Sequence, residues 1–129
     1  MSRATKFNPQ EMTVGLSREF SASLMPEQAD PAIPVDGASF GVAHMSENSP
    51  HDGERHPDGD EILYLISGKV RVVFVDSDEP DIDVLPGDGL IVPKGVWHRV
   101  DILEPCRIVY LTPGPNNQFR PVSGVSQQL

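Results

Sequence analysis

From Ala38 onward, turn-forming residues interrupt the chain about every 8 to 12 positions, and β-branched residues fill the spaces between. SFGVAHM is followed by a polar stretch. EILYLIS and KVRVVFV flank Ser67-Gly68, DIDVL stops at Pro86-Gly87, and GLIV stops at Pro93-Lys94-Gly95. WHRVDIL and CRIVYLT complete the series before TPGPNNQ. No part of this body carries an apolar period of 3.6, and 13 prolines in 129 residues would interrupt helices. The spacing predicts an all-β sandwich or barrel. Ser67-Gly68 reads as a tight hairpin turn between two strands.

One such domain, with one core, accounts for the length. We divide the chain into an N-terminal arm (1–35) with a single short strand, a β body (36–115) and an irregular tail (116–129). The arm carries Pro9, Pro26, Pro31 and Pro34 and is expected to pack on the body or exchange with a neighbouring subunit.

Charge and cysteine usage narrow the function. Nineteen acids against ten bases give a net charge of −9, which repels phosphate backbones and argues against nucleic-acid binding. Cys106 stands alone, so it reads as a small buried hydrophobe in a reducing compartment. The N-terminus lacks the apolar run of a secretory signal, and no segment is long and apolar enough for a membrane helix. The expectation is a cytoplasmic protein without nucleic-acid or membrane partners.

The densest chemistry lies in ERHPDGDEILYLISG, residues 54–68. Residues two apart on a strand share a face, so Glu54 and His56 point the same way. Pro57-Asp58-Gly59-Asp60 then turns the chain and brings Glu61 beside them. Glu61 opens an apolar strand with its charge turned inward, which a solvated acid would not do. A further donor, His98, begins a strand after Pro93-Lys94-Gly95. Imidazoles and carboxylates converging inside a barrel suit a divalent transition metal: iron, manganese, nickel or zinc. Asp60 reads as a turn acid. His44 and His51 read as strand-end or loop residues, with His51 a substitute ligand should Glu54 point away.

At these residues the sequence resembles the cupin family. The family's first motif, G-x5-H-x-H-x3-4-E-x6-G, is met by His56, Glu61 and Gly68. The second, G-x5-P-x-G-x2-H-x3-N, is met by Gly87, Pro93, Gly95 and His98. Glu54 stands where the first histidine usually is, Asn48 replaces the first glycine and Ile102 the last asparagine. The resemblance is to small bacterial single-domain (monocupin, RmlC-like) proteins. It implies a double-stranded β-helix, the cupin jelly-roll barrel, and a metal held by His56, Glu61 and His98 at the wider mouth. Glu54 is either a fourth ligand or a general base near the metal. A homodimer is implied as well.

The expected cavity wall is Phe40, Leu63, Phe74, Val100 and Tyr110, with Tyr64 and Trp97 on the outer face. Arg55, Arg71 and Arg99 either anchor a carboxylate substrate or balance surface acids. Functionally, the leading expectation is a metalloenzyme acting on a small organic molecule, of dioxygenase or isomerase/lyase type. The alternatives are a non-catalytic module that binds or senses a small ligand, and a barrel with a vestigial site.

Overall fold

A computed structural model of the protein describes residues 3–26 and 33–121. It is all-β. Nine strands follow in order: β1 (Met12–Ser17), β2 (Ala22–Pro26), β3 (Gly37–Met45), β4 (Gly53–Arg55), β5 (Glu61–Phe74), β6 (Ile82–Val84), β7 (Gly89–Val92), β8 (His98–Gly114) and β9 (Gln118–Arg120). All pairings are antiparallel, in the order β2-β1-β3-β8-β4-β9, with β5 joining β8 to β6 and β7. No helix among the described residues is long and apolar enough to cross a membrane.

The two longest strands carry the fold. β5 and β8 pair from Ile62–Leu111 at one end to Phe74–His98 at the other. The hairpin expected at Ser67-Gly68 is absent, because both halves of β5 keep β8 as partner: Ser67 faces Arg107 and Lys69 faces Glu104. Gly68 instead marks an irregularity in one bent strand, with φ of +84°. The shift changes the alternation, so Glu61, Leu63 and Leu65 point inward before it and Val70, Val72 and Phe74 after it. WHRVDIL and CRIVYLT likewise belong to one strand, β8, which continues past Pro105.

The core follows from this alternation. Leu63, Leu65, Val70, Val72, Phe74, Val84, Val92, Cys106 and Ile108 form one buried cluster, each large aliphatic or aromatic side chain contributing roughly 1.5–3 kcal/mol. Cys106 is buried there as a small hydrophobe. Tyr64, with the opposite parity, is 46% exposed on the outer face.

Both flanks hold more strand than the sequence suggests. Residues 12–26 form a hairpin of two strands where one was expected, and β1 lies directly against β3. The polar Arg18–Ser21 turn closes it, with Phe20 at φ +63°. The tail, expected to be irregular, contributes β9, which pairs with β4. Residues 1–2, 27–32 and 122–129 of the expected arm and tail lie outside the described residues.

Candidate metal centre

Glu54 lies on β4, His56 just beyond it, and Glu61 and His98 open β5 and β8. Glu54 and His98 are direct cross-strand partners. The 57–60 turn is tied at both corners. Asp60 accepts the Lys94 N–H at 2.7 Å, as expected of a turn acid, and Asp58 accepts the Asn116 N–H at 2.7 Å. The backbone carbonyl of His56 also accepts the Gly95 N–H at 3.1 Å, which joins the two motif loops.

One donor atom from each of Glu54, His56, Glu61 and His98 lies within 4.8 Å of the other three. Nε2 of His98 is 3.1 Å and Nε2 of His56 is 3.3 Å from the two oxygens of Glu61. Oε1 of Glu54 is 3.7 Å from His98 Nε2 and 4.0 Å from His56 Nε2. His56, Glu61 and His98 are almost wholly buried, while Glu54 keeps partial exposure.

The surrounding hydrogen bonds set which nitrogen faces inward. Nδ1–H of His98 donates to the Val96 carbonyl at 3.0 Å, and Nδ1–H of His56 donates to Asn117 Oδ1 at 2.8 Å. With Nδ1 so occupied, Nε2 of each neutral ring presents a lone pair to the carboxylates. Thr112 Oγ1 donates to Glu61 Oε2 at 2.7 Å and fixes that carboxylate. Nε2 of His56 is buried and makes no hydrogen bond. Two lone pairs facing two carboxylates repel one another unless a proton or a cation lies between them. The donor set therefore fits a divalent metal.

The titration behaviour of the metal-free site reflects the same arrangement. Burial works against a charged His56, but the Glu61 carboxylate 3.3 Å from its Nε2, with Asn117 and Glu54 behind it, pushes the imidazole up to about 9. His98 is also raised against its burial, by Glu61 and the Val96 carbonyl. Burial opposes ionisation of Glu61 as well, yet the nearby imidazoles of His56 and His98 and the bond from Thr112 hold it down to about 2. Glu54 moves the other way, raised by burial and by the neighbouring Glu61 charge.

Glu54, His56 and Glu61 open onto a cavity of about 740 Å³. Of the residues proposed for its wall, Leu63, Val100 and Tyr110 line it. Phe40 and Phe74 do not. The inward side chains of β3 are Ser39, Ala43 and Met45, so Phe40 falls on the other face, paired with Val14 and Leu111. Phe74 points inward but is packed into the core cluster. His51 borders the cavity, but its Nδ1 accepts the Gly53 N–H at 3.3 Å and its ring packs on Phe119. His44 is exposed on β3.

None of the three arginines considered as carboxylate anchors reaches the cavity. Arg55 bonds Gln118 and lies over Trp97, Arg71 pairs with Asp83, and Arg99 pairs with Asp52 and Asp101. The Trp97 ring is met by both Arg55 and Arg120, 5.0 and 4.6 Å from its centroid. Asn117 and Thr112 were not singled out from sequence. Asn117 sits in a stretch that reads as loop, and Thr112 is one more β-branched residue at a strand end.

Comparison with known proteins agrees with this architecture. The family model described as Cupin domain matches residues 42–112. Germin-like protein subfamily 1 member 4 of Arabidopsis thaliana is 31% identical over 96 residues, covering 70% of this chain and 42% of that protein. The uncharacterised protein YdbB of Bacillus subtilis is 26% identical over 70 residues, 48% of this chain and 60% of its own. The chain thus spans about two fifths to three fifths of these curated relatives. Among solved structures, a cupin-2 domain protein of Shewanella frigidimarina superposes with a TM-score of 0.51 at 23% identity, covering 64% of this chain and 76% of that one. The oxalate decarboxylase of Bacillus subtilis, a protein studied for its Mn(II) centres, gives a TM-score of 0.53 at 21% identity, covering 64% of this chain and 23% of that one. With more than half of its length matched by the family model and its strands laid out as in these structures, the chain belongs to the cupin domain family.

Proposed function

We propose that the protein is a metal-dependent enzyme acting on a small organic molecule, with Glu54, His56, Glu61 and His98 holding one divalent transition metal. The observation that carries the reading is the convergence of four donors within 4.8 Å, one of them buried without a partner, on a cavity of about 740 Å³. That volume lies within the roughly 300–1,000 Å³ usual for small-molecule sites. Iron, manganese, nickel and zinc all suit nitrogen and oxygen donors, and the Mn(II) centres of the structurally similar decarboxylase make manganese a natural first trial.

Bound there, such an ion supplies Lewis-acid polarisation of a substrate oxygen or, with a redox-active metal, dioxygenase chemistry. The chain's own groups do the rest. Asn117 and the Val96 carbonyl hold the two imidazoles in orientation, and Thr112 holds Glu61. Met45, Leu63, Val100 and Ile108 give the wall apolar surface for the body of a bound molecule. Glu54, the most exposed of the four and the farthest from both imidazoles, has an alternative role: where it does not ligate the ion, it is the carboxylate placed to take a proton from a substrate.

Metal analysis of the purified protein, before and after incubation with each of the four ions, tests the proposal. One equivalent bound and lost on His56→Ala and His98→Ala supports it; none bound removes it. Oxygen consumption then separates dioxygenase from isomerase or lyase chemistry. A ligand that co-purifies unchanged would move the reading to a non-catalytic binding module.

The proposed working form is a cytoplasmic homodimer. Its support is an apolar row on the outer face, paired strand to strand from Ile91 through Ile62, Leu111 and Phe40 to Val14. Light scattering that returned a monomer would contradict it.

A further inference from the structure

The cavity receives two carboxylates and no lysine or arginine to offset them. The chain contains ten lysines and arginines, and all of them fall within the described residues. Not one lines the cavity. Arg18, Arg71, Arg99 and Arg120 are held by Asp36, Asp83, Asp52 with Asp101, and Asp76. Arg55 is turned to Gln118 and the Trp97 ring. Beside Glu54 and Glu61 the wall carries Met45, Leu63, Val100 and Ile108, together with the uncharged polar groups of Ser39, Ser49, Tyr110, Thr112 and Asn117.

The charge count has a direct chemical consequence. Two carboxylates already neutralise a dication, so a dicarboxylate entering the cavity would add two negative charges to a neutral centre. Its walls, mostly apolar and otherwise uncharged, offer no lysine or arginine to receive them, and unpaired charge in such surroundings is disfavoured. A molecule that enters without charge meets no such opposition, and the walls favour an apolar body.

We infer that this cavity takes an electrically neutral, mostly apolar small molecule with oxygen donors for the metal, and that it discriminates against dicarboxylates such as oxalate. The inference rests on the metal reading above and adds the substrate class to it. It also separates this chain from the chemistry of oxalate decarboxylase, which it resembles in fold.

The test uses two oxygen chelators of similar bite and different charge: maltol, which enters neutral and binds as a monoanion after releasing its hydroxyl proton to the buffer, and oxalate, a dianion. The full chain is loaded with Mn(II), and occupancy is measured first by metal analysis. Binding of each chelator is then followed by calorimetry and by the Mn(II) magnetic-resonance spectrum, beside the free ion in the same buffer. The loaded protein is expected to favour maltol over oxalate at least about ten-fold more strongly than the free ion does. Glu54→Gln, measured at full occupancy, removes one of the two negative charges and shifts that ratio back toward oxalate. A chain that takes up no metal overturns the metal reading beneath this one. A loaded chain whose preference for oxalate equals or exceeds that of the free ion overturns the substrate class alone.

Discussion

Asn117 Oδ1 lies 2.8 Å from His56 Nδ1, so a residue beyond the long eighth strand fixes how the inward-facing Nε2 of His56 is presented. The segment carrying Asn117 is held on both sides of it. Asn116 gives two hydrogen bonds to Asp58, and β9 pairs with β4.

Removing that bond tests whether the C-terminal segment positions the metal site. Asn117→Leu is expected to weaken metal affinity about 10–100-fold, the usual effect of losing an outer partner of a ligating histidine. Stability should fall by only about 1 kcal/mol, one hydrogen bond's worth. Asn117→Asp, which keeps an acceptor at the same place, should restore affinity. Competitive titration against a chelator of known strength measures all three proteins. Equal affinity for the leucine and asparagine forms would show that His56 needs no such partner.

The metal-free and metal-loaded proteins should respond to pH in opposite senses. His56 is raised from an ordinary value of 6.5 to about 9, so its contribution to folding is complete below 6.5 and disappears as pH rises through about 9. Glu61 is lowered from 4.5 to about 2, so its contribution is present above 4.5 and disappears as pH falls toward 2. From these two groups the metal-free protein melts highest between about 4.5 and 6.5 and loses stability toward pH 9. A metal must displace the imidazole protons, so the rise in melting temperature on metal addition should grow from pH 6 to pH 8. Paired thermal melts with and without Mn(II) check both slopes.

The two carboxylates should not be equivalent. Glu61 is buried, bonded by Thr112 and placed between both imidazoles, whereas Glu54 stands farther from each and is partly exposed. Glu61→Gln should therefore abolish measurable metal binding. Glu54→Gln should retain it at an affinity reduced roughly 10–100-fold, by analogy with other supporting contacts. Similar losses in the two variants, read by metal analysis after dialysis, would refute this ranking.

The sequence exposes the inward-facing donors more readily than the supporting residues, for a physical reason. Glu54, His56, Glu61 and His98 are legible because strand parity and motif spacing constrain charged groups next to apolar runs. Asn117 is not, since its role comes from a tertiary contact across 61 positions and leaves no local pattern. Phe40 is misplaced for a related reason: β3 is apolar on both faces, so alternation alone does not say which side faces the cavity. Ser67-Gly68 misleads because a glycine in a bulge and a glycine in a hairpin turn answer the same local need, a positive φ. Only the continuous pairing along β8 distinguishes them.

That distinction yields a stability prediction. Gly68 has φ of +84°, and a Cβ there would stand 2.2 Å from the Pro105 carbonyl oxygen and 2.7 Å from Cys106 Cα, both backbone atoms of β8. Gly87 has a similar φ of +93°, but a Cβ there would meet nothing within 4 Å. Gly87→Ala should therefore cost only the left-handed backbone penalty, about 1–2 kcal/mol. Gly68→Ala carries that penalty and must also push β8 away from β5 at the bend, so a loss of roughly 3 kcal/mol or more is expected. Denaturant unfolding of the two variants beside the parent protein measures the difference. If Gly68→Ala proved no more costly than Gly87→Ala, the tight contact between the β5 bend and Pro105 would be wrong. With it would go the physical account of why a glycine stands at position 68.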